Sequence, residues 1–170
     1  PEPTPEIDPV LDACQGTNGS GDPVIVLFSD ASGQDLHIYD ILSDTWYTQT
    51  SPLPGRAGTA IAYDEYSNLC YLSGGEDTGG TITHTFYAYD VAANTGITLP
   101  SMTTPRMFHA AWFYDGMVCV GGGAGDLPPL DPLASTQCYS TTGGMWLPEN
   151  ATLGPLPYAN WAMADAERRV

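Results

Sequence analysis

The chain has 170 residues and a one-sided charge: 20 Asp and Glu against 4 basic side chains, all of them arginine, for a formal net charge of −16. A surface of that sign repels phosphate backbones and anionic leaflets, which argues against nucleic-acid binding and against electrostatic docking to a membrane. No apolar run reaches the length of about eighteen residues that a membrane-spanning helix needs, so no membrane insertion is expected.

The opening stretch PEPTPEIDP has no initiator Met and no signal peptide, and is expected to be the start of a mature or excised piece. Pro and Glu at that density cannot form a regular ladder, so residues 1–22 are expected to be an extended arm or linker. Cys14 and the glycosylation sequon Asn18-Gly19-Ser20 lie within it. Residues 23–55 are expected to be a partial unit entered at its second strand.

Residues 56–105 are one complete unit. GTAIAY, a polar DEYSN turn, LCYLSGG, a Gly/Thr/Asp loop, HTFYAYD and TGITLP alternate apolar runs of strand length with turn residues, which predicts four short antiparallel strands. Residues 106–157 repeat the order as FHAAWFY, MVCVGGG, STQCYS and GGMWLP. Asp115-Gly116 between the first two runs is a strong hairpin signal, because a type I′ turn needs positive φ at both central positions. Residues 158–170 match the opening of the preceding unit and are expected to be the first strand of another. No segment holds a helical period through three turns.

The units are in register. Tyr39, Tyr89 and Tyr139 recur at intervals of about fifty residues, and seven positions after each come Trp46, Gly96 and Trp146. Arg56 recurs at Arg106, and the pair Gly74 and Gly75 at Gly122 and Gly123; in the first unit the sequence Ser29 to Gly33 stands in the place of that pair. A glycine pair after an apolar strand, then a tyrosine, then a tryptophan on this period resembles kelch repeats, from about Val24 to Met163. The resemblance implies an all-β chain of kelch-type β-propeller blades, one four-stranded antiparallel sheet per repeat. It also implies that the Tyr and Trp positions are packing residues between blades. Roughly three blades and a part cannot close a ring, since propellers need at least about four, so the missing edges are expected to be covered by the rest of a longer chain or by neighbouring subunits.

Cys119 and Cys138 fall on adjacent strands of one unit and could bridge across the hairpin, which would leave Cys14 to pair with Cys70; buried free thiols are the alternative. An even cysteine count and a second sequon at Asn150-Ala151-Thr152 favour an extracellular, secreted glycoprotein. His37, His84 and His109 are scattered one per unit, so no metal set converges. The acidic loops around Asp30 and Asp35 and around Glu76 and Asp77 could hold calcium, but neither has EF-hand spacing, and no cofactor is expected. Arg56 and Arg106 are expected to act as structural pins by pairing with carboxylates or carbonyls of adjacent blades; the other reading has them line a central channel and hold an acidic ligand.

The loops 124–135 and 77–83 are the first candidates for a contact surface. With no convergent catalytic set, the expectation is a non-enzymatic scaffold or protein-interaction module, a subunit or fragment of a larger assembly that partners itself or the rest of a longer chain. The alternatives are a secreted kelch enzyme, copper-oxidase-like or sugar-modifying, and a carbohydrate-binding module.

Overall fold

The computed structural model describes residues 12–28, 35–125 and 132–150, and no helix occurs among them. Their strands form three four-stranded antiparallel sheets. The first contains β1 (Asp12–Thr17), β2 (Pro23–Phe28), β3 (Asp35–Asp40) and β4 (Thr45–Thr50). The second contains β5 (Ala60–Asp64), β6 (Leu69–Ser73), β7 (Phe86–Asp90) and β8 (Thr95–Leu99). The third contains β9 (Ala110–Tyr114), β10 (Met117–Gly121), β11 (Thr136–Ser140) and β12 (Met145–Trp146). Every sheet runs in chain order. The first strands β1, β5 and β9 neighbour one another, so the sheets are arranged like successive propeller blades in an open set.

The all-β expectation holds. One boundary differs: residues 12–17, read from sequence as part of an arm, form β1, with Asp12 opposite Phe28 and Thr17 opposite Pro23. The first unit therefore has all four of its strands. Its opening strand is DACQGT, with only Cys14 and Gly16 buried, so apart from Thr17 it lacks the branched and aromatic residues by which a strand is recognised. The expected strand in 158–170 and the glycine-pair substitute at 29–33 lie outside the described residues.

The core occupies two layers between sheets. Val24, Val26, Leu36 and Ile38 of the first sheet meet Cys70, Leu72, Tyr87 and Tyr89 of the second. On its other face the second sheet meets the third, where Ala62, Tyr71, Phe86 and Ala88 join Val118 and Tyr139. Covered on both faces, β6 and β7 are buried almost throughout, which is why LCYLS and FYAYD read as continuous runs rather than alternating ones. The outer strand β8 is largely exposed.

The missing tryptophan of the second unit has a steric reason. Gly96 faces Tyr89 across the β7–β8 ladder, as Trp46 faces Tyr39 and Trp146 faces Tyr139. A Cβ on Gly96 would collide with the side chain of Leu53, which enters the core from the connection between the first two sheets. Leu53 fills the space that the ring takes elsewhere. Gly96→Trp is therefore expected to destabilise by about 1–3 kcal/mol through overpacking, and Leu53→Ala to relieve part of that loss. Denaturation midpoints of the two single variants and the double variant check this; strictly additive losses would refute the shared space.

Candidate functional site

At one end of the sheets, the turn between third and fourth strand is tied by the recurring tyrosine in the first two units. Tyr39 donates its hydroxyl to Asp44 Oδ1 at 2.5 Å, and Tyr89 donates to Asn94 Oδ1 at 3.0 Å. Asp44 and Asn94 have φ of 54° and 50°, a left-handed conformation that short polar side chains tolerate. In the third unit Gly144 takes that position with φ 65°, so Tyr139 gains no side-chain partner there. The carboxylates of Asp40 and Asp90 accept the next backbone N–H groups of their turns. Hydrogen bonding to Asp44 raises the Tyr39 hydroxyl above the ordinary phenol value, and the turn amides of Ser43 and Leu42 hold Asp40 below the usual carboxylate range. These groups are occupied in building turns.

The tyrosines also hold rings between sheets. Phe86 of the second sheet lies 5.0 Å from Tyr139 and 4.8 Å from Trp146 of the third. Phe28 of the first lies 5.5 Å from Tyr89 of the second. Tyr39 and Trp46 lie against each other at 5.0 Å with their rings tilted by 40°, but meet no third ring among the described residues.

At the opposite end the pair Gly74 and Gly75 admits the next unit. Gly74 has φ 62°, and a Cβ there would strike the backbone oxygen of Arg106; the Gly75 N–H bonds that same oxygen at 2.9 Å. Close backbone approach and positive φ together demand glycine. Arg106 itself has no exposed surface. Nη1 donates to the Gly122 and Ser135 carbonyls at 2.9 and 3.3 Å, while Nη2 donates to Ser135 Oγ at 3.1 Å and to Glu149 Oε1 at 2.9 Å. Ser135 and Thr104 hydroxyls also donate to Glu149. Burial works to raise the Glu149 carboxyl, but the bonds from Ser135, Thr104 and Arg106 outweigh it and hold it low. Burial lowers Arg106 against the pull of Glu149, yet a guanidinium keeps its charge. Arg106 thus binds carbonyls, a hydroxyl and a carboxylate of its own unit rather than of an adjacent blade. Arg56 lines a cleft instead.

His109 crosses from the third unit to the second, its Nε2 lying 2.7 Å from Ser73 Oγ. Ser73 Oγ also lies 3.1 Å from the Ala60 carbonyl, to which it donates, so the imidazole Nε2–H donates to Ser73 and Nδ1 is left bare, without a partner. Full burial, followed by the nearby Arg106 charge, pushes His109 down to about 3. A neutral ring sealed between sheets is a connector and has no route to a substrate. Ser73, its partner, carries no signal in the sequence beyond its place before the glycine pair.

Both cysteine pairs are bridged. Cys119–Cys138 spans directly opposed positions of β10 and β11, and Cys14–Cys70 joins the first sheet to the second. Asn18 turns the chain from β1 to β2, its Oδ1 accepting from Ser20 and Asp22 N–H, and exposed Asn150 pairs its backbone with Thr136. In the loop 77–83, Asp77 Oδ1 accepts from Gly79 and Thr81 N–H, so that carboxylate already serves the loop. Asp30, and 126–131 of the other candidate loop, lie outside the described residues. Among those described, no three His, Cys, Asp or Glu side chains converge on a point that could hold a metal ion.

No family model matches the chain. It is similar to an F-box/kelch-repeat protein of Arabidopsis thaliana, 30% identical over 105 residues. The match takes in 62% of this chain and 24% of the relative, so the chain spans about a quarter of that protein's length.

Proposed function

We infer that the chain is a run of kelch-type propeller blades serving as a non-enzymatic protein-interaction module, completed by further blades from a longer chain or from neighbouring subunits. The Tyr39–Trp46 pair carries this reading. In the third sheet the equivalent pair, Tyr139 and Trp146, grips Phe86 of the preceding sheet, whereas Tyr39 and Trp46 remain half-buried on a flank that no described sheet covers. A flank shaped to receive an aromatic ring is completed by another blade. The similarity to a kelch-repeat protein supports the repeat type, and fold alone would not set function. The remaining distinctive polar groups are engaged in structure: His109 ties the third unit to the second, Arg106 and Glu149 bind each other within the third unit, and the turn carboxylates hold their own turns. Two disulfides and two sequons support an extracellular setting.

Native and denatured masses of material from the natural source test the reading together. A native mass several times the denatured one means that neighbours complete the blades; a denatured mass far above 18.1 kDa means glycans or a longer chain. If both equal one bare chain, the open flank stays uncovered and the proposal fails.

A further inference from the structure

A cleft opens between the first and second sheets, at the end where the glycine pairs lie, with walls that include Phe28, Leu53, Leu72 and Tyr87 and with Thr59 and Arg56 at its polar side. Arg56 holds the same place in its unit as Arg106 does in the next. The terminal nitrogens of Arg106 are satisfied by two carbonyls, a hydroxyl and a carboxylate. Those of Arg56 make no hydrogen bond or ion pair with any described residue. The Nε atom is buried and unpartnered in both arginines, so the difference lies at the terminal fork. The charge of Arg56 helps to lower Asp77, but that carboxylate is beyond ion-pair distance and is already bonded first to Thr81 and then to Gly79.

The repeat register explains the vacancy. Thr136 pairs with Asn150 as Phe86 pairs with Leu99, so Glu149, one residue before, corresponds to Thr98, and the second unit supplies no counter-charge. A half-buried guanidinium beside apolar walls is poorly compensated, and its planar fork matches a carboxylate through two parallel bonds.

We propose that this cleft binds a carboxylate carried on a short apolar body, with Arg56 taking the carboxylate and Phe28, Leu53, Leu72 and Tyr87 taking the chain. That chemistry comes either from a free short-chain acid or from a Glu or Asp side chain of a partner protein. The site stands independently of the interaction-module reading, because a free acid would fill it equally.

Calorimetric and NMR titrations of the whole chain test it with four probes: hexanoate, its neutral amide, an acetylated Leu-Glu-Leu peptide and the Leu-Gln-Leu counterpart. The acids are expected to bind at least about tenfold more tightly than the neutral probes, with shifts at the cleft residues. Arg56→Met is expected to lose that preference while keeping the circular dichroism of the parent. Thr98→Glu, which installs the counterpart of Glu149, is expected to abolish acid binding and raise the melting temperature; it decides the matter if Arg56→Met fails to fold. Preference for the peptide over hexanoate assigns the ligand to a protein partner, and the reverse to a free acid. Equal binding of acids and amides, unchanged binding in both variants, or no binding by either acid overturns the proposal. A monomeric chain that still binds acids through Arg56 would sink the assembly reading and leave this site standing.

Discussion

Glu149→Ala is expected to lower unfolding stability by about 3 kcal/mol, because it strands the fully buried Arg106 without a counter-charge while leaving its carbonyl partners in place. Glu149→Gln should cost roughly half as much, since the amide oxygen still accepts from Arg106 and from Ser135. The loss should change little with salt, because a pair sealed by the Ser135 and Thr104 hydroxyls is poorly screened. Arg106→Met should be at least as damaging: Gly122 and Ser135 would each lose a donor to their carbonyls. Urea denaturation of the three variants at neutral pH measures this. A Glu149→Ala loss within about 0.5 kcal/mol would mean that the pair behaves as an ordinary surface ion pair and holds nothing together.

Between pH 7.5 and 4.5 two buried groups should pull stability in opposite directions. His109 falls from 6.5 to about 3 on folding. Its contribution is complete above the unfolded value and is lost as pH falls, because the unfolded chain takes up a proton that the folded one refuses. By pH 4.5 that loss is about 3 kcal/mol, at 1.36 kcal/mol per unit. Asp12 behaves in the opposite sense. Burial lifts it from 3.8 to about 7, against a lesser lowering by the Ala13 backbone bond. Its contribution is therefore complete below about pH 4 and is lost as pH rises through 7. Asp12 retains partial exposure, so solvent screening leaves its effect the smaller one. The parent should weaken only mildly on acidification, Asp12→Asn should weaken steeply, and His109→Gln should hold level or gain. Carboxylates held low, among them Glu149, act only further down the scale. Melting temperatures of the three proteins across this range check the ordering; identical slopes for His109→Gln and the parent would show that the buried imidazole is not the acid-sensitive group.

Much of the fold was legible in the sequence because repetition multiplies weak signals. A single tyrosine says little, but Tyr39, Tyr89 and Tyr139 on one period fix three third strands at once. Asp115-Gly116 forms its turn with φ of 48° and 72° at the two positions, as the dipeptide requires. Three features escaped. The strand β1 is made from small and polar residues, and its existence depends on the ladder with β2 rather than on its own preference. Glu149 sits in a loop with no motif around it and becomes a partner of Arg106 only in three dimensions. The absence of tryptophan at Gly96 has no explanation within its own unit; it is a fitted contact with Leu53. Contacts between units, such as His109 with Ser73 and the Gly75 N–H with the Arg106 carbonyl, are invisible to a reading that treats each unit alone.

The Cys14–Cys70 bond bypasses 56 residues of chain and ties the innermost strand of one sheet to an interior strand of the next. Under tension applied along the chain from outside this loop, the load passes from residue 14 to residue 70 through sulfur, and the first sheet carries almost none of it. The loop so withheld would extend by roughly 200 Å if released, at about 3.5 Å per residue. The first sheet and its open flank are thereby shielded from mechanical unravelling as long as the surroundings stay oxidising, and a change of redox state would act as a release of slack.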